Sequence, residues 1–249
     1  DAFPKCKILP SFKGYSYAYE DGTTLYEEPT KENLNNLLEF LSKNLWSKKP
    51  LNEDLYEDAK NFYKNKTLKR IELLEKKYLL NKINSINNQK INYISIIPPF
   101  DYELIIDNIY ISPFHGDLQY DNILVKKDKS FVLIDWRHEF GQCVEFGDIY
   151  YDLAKLLGGV ILNYKRIKDG DFKAYINQNN TNIDYEYEED SYSLEHQQII
   201  YNYHYTHNLD INNTRKLLAL IYINMAPLHE SPFDLLLIAL ANKIFWANA

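Results

Sequence analysis

The chain has 249 residues, 45% of them hydrophobic, enough to bury a substantial core as one large domain or as a lobe with an appendage. A formal net charge of -7 removes any general attraction to phosphate backbones or anionic membranes, so nucleic acid is not an expected partner. Two cysteines, Cys6 and Cys143, make no disulfide framework and no metal-ligand spacing, and with no membrane span or signal peptide in the sequence the expected location is cytoplasmic.

Residues 15 to 20 read as a short strand, followed by turn chemistry at Asp21 and Gly22. Thr30 is placed to cap a helix reaching Asn44 or Trp46, because Leu34, Leu37, Leu38, Leu41 and Leu45 recur at helical spacing. A second helical stretch runs from Glu53 to Leu80 on Leu55, Ala59, Phe62, Leu68, Ile71, Leu74 and Tyr78, with a break near Asn65. Residues 81 to 92 are polar and Asn-rich and read as a helix end and loop.

Between Ile109 and Trp136 the pattern changes. Short apolar segments, Ile123 to Val125 and Phe131 to Ile134, flank the charged turn from Lys126 to Ser130 and predict a small hairpin. Asp148 then opens a helix through Leu162 with Leu153, Leu156, Leu157 and Val160 facing a core. Residues 171 to 188 predict a second hairpin around Asn179 and Asn180, and helices follow over 193–207, 212–225 and 232–246. The fold class is therefore α+β, mainly helical.

Three side chains in the middle of the chain suit phosphoryl transfer, which needs a carboxylate beside the acceptor hydroxyl and oxygen ligands for magnesium. Asp117 fits the first role, and Asn122 and Asp135 fit the second. A tight loop from Asp117 to Asn122 sets both side chains on one concave side, and the hairpin returns Asp135 nearby. With no cysteine or paired histidine close by, the donors favour magnesium or manganese over zinc.

The run His115-Gly116-Asp117-Leu118-Gln119-Tyr120-Asp121-Asn122 resembles the catalytic loop of the aminoglycoside phosphotransferase and choline kinase family, relatives of protein kinases. Ile134-Asp135-Trp136 resembles that family's metal-binding segment. The stretch from Gly147 to Ala154 is similar to the pattern that opens the following helix. More loosely, Tyr17 to Glu20 with Asp21 and Gly22 is similar to the linker between kinase lobes, whose backbone receives adenine.

The resemblance implies the C-terminal lobe of a protein-kinase-like fold with a short catalytic β-hairpin, the N-terminal lobe being largely absent. Residues 1–28 would be the end of that lobe and the hinge, and residues 29–249 the helical catalytic lobe. Asp117 would be the catalytic base, His115 a brace for its loop, Asn122 and Asp135 the metal ligands, and Tyr17, Tyr19 and Glu20 the nucleotide-binding segment. Asp148 and Asp152 would be mainly structural. The implied cofactors are ATP and Mg2+, and the implied partner is a small-molecule alcohol: an amino alcohol such as choline or ethanolamine, a sugar or an aminoglycoside.

The family's glycine-rich loop and phosphate-contacting lysine cannot be placed before Tyr15, so the resemblance implies either that they lie upstream of Asp1, the favoured reading, or that this domain does not bind ATP in the usual way and is inactive as it stands. Two other readings stay open: a non-catalytic kinase-like binding module, and the kinase domain of a fusion with a nucleotidyltransferase in surface polysaccharide synthesis. Tyr185, Tyr187, Tyr201 and Tyr205, with the acidic run from Glu186 to Asp190, could cage a cation, but in so tyrosine-rich a chain packing and a solvated surface are the commoner outcomes. Arg137 and His138 read as solvated loop residues.

Overall fold

The computed structural model describes residues 7–9, 14–16, 18–91 and 95–247, so the proposed nucleotide contact Tyr17 lies outside the described residues. Strands β1 (Lys7–Leu9) and β2 (Gly14–Ser16) pair antiparallel, and residues 18–20, expected to continue a strand, carry none. Strand β3 (Thr23–Thr24) leads to α1 (Lys31–Asn44), which begins where the Thr30 hydroxyl accepts a bond from Asn33 N. Its buried stripe is Leu34, Leu37, Leu38 and Leu41.

Helix α2 (Glu53–Lys60) is capped by Asn52 and continues through a π-turn at Asn61–Asn65 into α3 (Lys66–Lys77). The expected break is thus one widened turn and not a stop, and it buries Phe62 and Tyr63. Where sequence predicts only loop, β4 (Ser85–Ile86) and β5 (Gln89–Lys90) form a hairpin. Asn87 and Asn88 make its turn at φ of 47° and 61°, a left-handed pair that asparagine tolerates well.

The remaining elements follow in order: α4 (Tyr102–Asp107), β6 (Ile111–Ser112), β7 (Ile123–Val125), β8 (Phe131–Leu133), β9 (Gly147–Asp148), α5 (Ile149–Ile161), α6 (Tyr164–Lys168), β10 (Lys173–Ile176), β11 (Asn182–Glu186), α7 (Ser193–Thr206), α8 (Ile211–Met225) and α9 (Phe233–Phe245). Helices dominate, and the strands among the described residues form four small sheets, so the architecture is α+β. In one of these, β4 joins the β10–β11 hairpin by a parallel pairing of Ile86 with Ile183. In another, β3 extends the β7–β8 hairpin, with Thr23 opposite Val125.

The core is built on α5, α8 and α9. Twelve of the thirteen residues of α5 are buried, all but Lys155, the signature of a helix packed on every side. Gly159 lets the Asp117–Asn122 loop lie close against it, since a Cβ there would sit 3.1 Å from Tyr120 N. Among the described residues no helix is long and apolar enough to cross a membrane.

Candidate active site

The loop that carries His115 and Asp117 leaves β6, passes through a short turn of 3-10 helix at Tyr120–Asn122 and enters β7. Its backbone hangs on one carboxylate of α5. Asp152 accepts from His115 N at 2.8 Å, Gly116 N at 2.7 Å and the Trp46 indole at 3.0 Å. Burial pushes the Asp152 carboxyl up to about 6, while these donors favour its charged form. One turn earlier Asp148 caps α5 through Tyr150 N and also accepts from Tyr63 Oη and Tyr110 N; burial pushes its carboxyl up to about 7.

His115 has no exposed surface, and burial drives its pKa down to about 4, so the ring is neutral. Its Nδ1 accepts from Asp117 N at 3.2 Å, which puts the proton on Nε2, where it is donated to Ile134 O at 2.8 Å. Trp136 packs on this ring at 4.6 Å between centroids and donates its indole N–H to Leu133 O. Arg137 closes the same seam, donating its backbone N–H to His115 O and its Nε to Gly116 O. Gly116 has φ of 79°, and a Cβ there would collide with the Arg137 side chain, so both conformation and space call for glycine.

Asn122 bonds to the residue before Asp135 at the end of the β7–β8 hairpin, where Ile134 N donates to Asn122 O at 3.0 Å. The Asn122 side chain donates Nδ2 to Asp117 O at 2.8 Å. Because that partner is a carbonyl, the nitrogen must face it and the amide oxygen is turned away, free for a cation. Asp135 is exposed and held at φ of 55°, an uncommon conformation for a residue with a Cβ. Among the described residues no three His, Cys, Asp or Glu side chains cluster as a metal nest. The donors themselves, an amide oxygen and a carboxylate, are of the hard oxygen type that magnesium takes together with water and phosphate.

Asp117 meets a partner that sequence reasoning missed. Its Oδ1 lies 2.7 Å from the Lys155 ammonium and, being buried, receives no other hydrogen bond among the described residues. Burial opposes the charge on Lys155, but Tyr151 and Asp117 outweigh it and hold the ammonium above the usual lysine range. The available signal was the helical spacing that places Lys155 three residues beyond Asp152, on the face of α5 turned to the loop.

The hinge-like segment is partly fastened to the hairpin. Glu20 pairs with Lys126 at 3.0 Å, while Tyr19 is exposed. The late acidic and aromatic segment forms no cage. Glu186 pairs with Lys173, Glu189 with Lys243, and Asp190 accepts from Asn163 and Tyr192, while Tyr205 points to solvent.

No family model and no curated protein matches the chain. Among solved structures it is similar to a Plasmodium vivax ethanolamine kinase. The two are 18% identical with a TM-score of 0.44, over 96% of this chain and 65% of that one, so the chain spans under two thirds of that protein's length.

Proposed function

We propose that the chain is the catalytic lobe of a small-molecule kinase that moves the γ-phosphoryl group of ATP to an alcohol. The observation that carries this reading is the hydrogen-bonded chain from Asp117 O to the Asn122 amide and from Asn122 O to Ile134 N, beside Asp135. It supports the reading because Asp117, Asn122 and the residue before Asp135 are joined by consecutive hydrogen bonds.

In this mechanism Asp117 accepts the proton of the acceptor hydroxyl through the oxygen that Lys155 does not engage. The hydroxyl oxygen bonds to the γ-phosphorus as the bond to the bridging oxygen of ADP breaks. Lys155 fixes the orientation of the base through their ion pair, and neutral His115 pins the loop to the segment that follows β8 at Ile134. Asn122 Oδ1 and Asp135 would hold magnesium, which when bound neutralises charge on the phosphate oxygens. The adenine would lie along the segment that includes Tyr19 and Glu20.

The test is phosphate transfer by the protein with ATP and magnesium to a panel of amino alcohols, sugars and aminoglycosides, compared with Asp117→Asn. Loss of at least about a hundredfold in rate is expected for a missing general base. Equal transfer by the two proteins would remove Asp117 from the role.

A further inference from the structure

The surroundings of Asp117 are cationic, against the sign of the whole chain, whose net charge is -7. Lys155 touches Asp117 itself, and Arg137 is bonded to the residue before it through Gly116 O. Lys66 lies over the Phe62 ring at 4.2 Å from its centroid, and the Arg137 guanidinium lies 5.3 Å from the same ring and 5.8 Å from that of Tyr151. Arg70 stands one turn beyond Lys66 on α3, where like charges four residues apart repel.

Nearby carboxylates are committed elsewhere: Asp58 accepts from Gln142 N, Glu103 pairs with Lys64 and Glu57 with Lys60. Among the described residues no carboxylate lies at ion-pairing distance from Lys66, Arg70 or Arg137. Lys66 and Arg137 share the Phe62 ring, Arg137 also reaches the Tyr151 ring of α5, and Arg70 lies one turn from Lys66; burial first, and then the fields of Arg137, Arg70 and Lys155, bring the Lys66 ammonium down to about 8. A groove of about 350 Å³ opens along the π-turn and the start of α3, where Asn61 and Asn65 add amide groups to Lys66, Lys69 and Arg70. Four cations held together at the cost of mutual repulsion, with one carboxylate among them, form a seat for negative charge.

Resting on the kinase reading above, we infer that the acceptor alcohol is itself an anion, bearing a carboxylate or a phosphate that Lys66, Arg70 and Arg137 bind while its hydroxyl faces Asp117. An amino alcohol would bring a positive charge into the same field and be repelled. The neighbouring donors suit oxyanions, since the arginine fork takes carboxylate or phosphate with two parallel bonds.

The test uses the full chain with four acceptors of similar size: ethanolamine, glycerol, glycerate and glycerol 3-phosphate. Binding is followed by titration calorimetry and transfer by ADP release, with a non-hydrolysable ATP analogue present or absent in the calorimetric arms. One or both anions are expected to bind at least about tenfold more tightly than glycerol, with ethanolamine weakest; Arg70→Met should erase the preference and Arg70→Lys restore part of it. Binding of ethanolamine ahead of both anions, or anion binding untouched by Arg70→Met, would overturn the inference. Anion binding abolished by the ATP analogue would also overturn it, by assigning the cations to the nucleotide's own phosphates. The two readings separate cleanly: transfer to ethanolamine alone keeps the kinase and removes the anionic acceptor, whereas tight, Arg70-dependent anion binding with no transfer to any acceptor does the reverse.

Discussion

Lys155 and Asp117 face each other across the gap between α5 and the loop, ammonium to carboxylate at 2.7 Å, and Lys155 is the one residue of its helix that the core does not fully enclose. Lys155→Met should therefore leave a carboxylate oxygen with no counter-charge in a poorly solvated place. We expect a loss of about 1–3 kcal/mol in urea unfolding at neutral pH. Pairing it with Asp117→Asn should recover part of that loss, because the orphaned charge is gone. If the two changes simply add, the pair contributes no coupling and its proposed role in holding Asp117 fails.

Asp135 sits in a left-handed conformation, which costs a residue with a Cβ of order 1 kcal/mol. Asp135→Gly should leave stability unchanged or raise it by up to about 1 kcal/mol while abolishing magnesium-dependent transfer. Asp135→Val, β-branched in the same conformation, should be the less stable of the two by about 1–2 kcal/mol. A glycine variant that melts lower than the valine variant would contradict the backbone geometry.

His115 is held neutral with its folded pKa near 4, below the usual value of about 6.5. The folded state therefore binds fewer protons at this ring than the unfolded one. Its contribution is present in full above about pH 6.5 and is lost as pH falls towards 4, up to about 3 kcal/mol. Asp148 and Asp152, pushed to about 7 and about 6 by burial, work in the opposite sense over the acidic range, so wild-type stability alone would mix these effects. The stability difference between wild type and His115→Gln should shrink as pH drops through that window. Nitrogen chemical shifts should also report the Nε2-protonated neutral ring at pH 6; a ring that titrates near 6.5 would refute the burial argument.

Asp152 serves three donors at once, two of them loop backbone N–H groups. In Asp152→Asn the new amide can keep two of these at most and turns its own N–H groups against the third. A loss of about 2–3 kcal/mol is expected, with faster amide hydrogen exchange at His115 and Gly116. Protection at those two amides equal to that of wild type would show that the loop is held by something else.

Local features of the fold were legible in the residues. Thr30 and Asp148 cap the helices they were expected to cap, and the apolar segments on either side of Lys126 to Ser130 pair as β7 and β8. Contacts between distant segments were not. The hairpin of β4 and β5 lies in a polar, Asn-rich stretch without alternation, and it is fixed by pairing with β11, about a hundred residues on. Lys155 reads in sequence as an ordinary charge in an amphipathic helix; only burial of the whole of α5 shows that it has one place to point. Arg137 likewise passes for a loop residue until its bonds to His115 O and Gly116 O are seen. The acidic run near Glu188 was the more conspicuous charge feature, yet its neighbours neutralise it locally.

Asp148, Asp152 and Lys155 stand at the cap and then four and seven residues along one rod, so a single stripe of α5 tethers the strand entry, the loop backbone and Asp117. A residue inserted between Asp152 and Lys155 would rotate the lysine by roughly 100° away from its carboxylate, and no side-chain adjustment spans that arc. The tolerance of this protein to insertion is therefore sharply uneven, and least in the central rod, where the eight positions from Asp148 to Lys155 act as a gauge whose spacing is fixed.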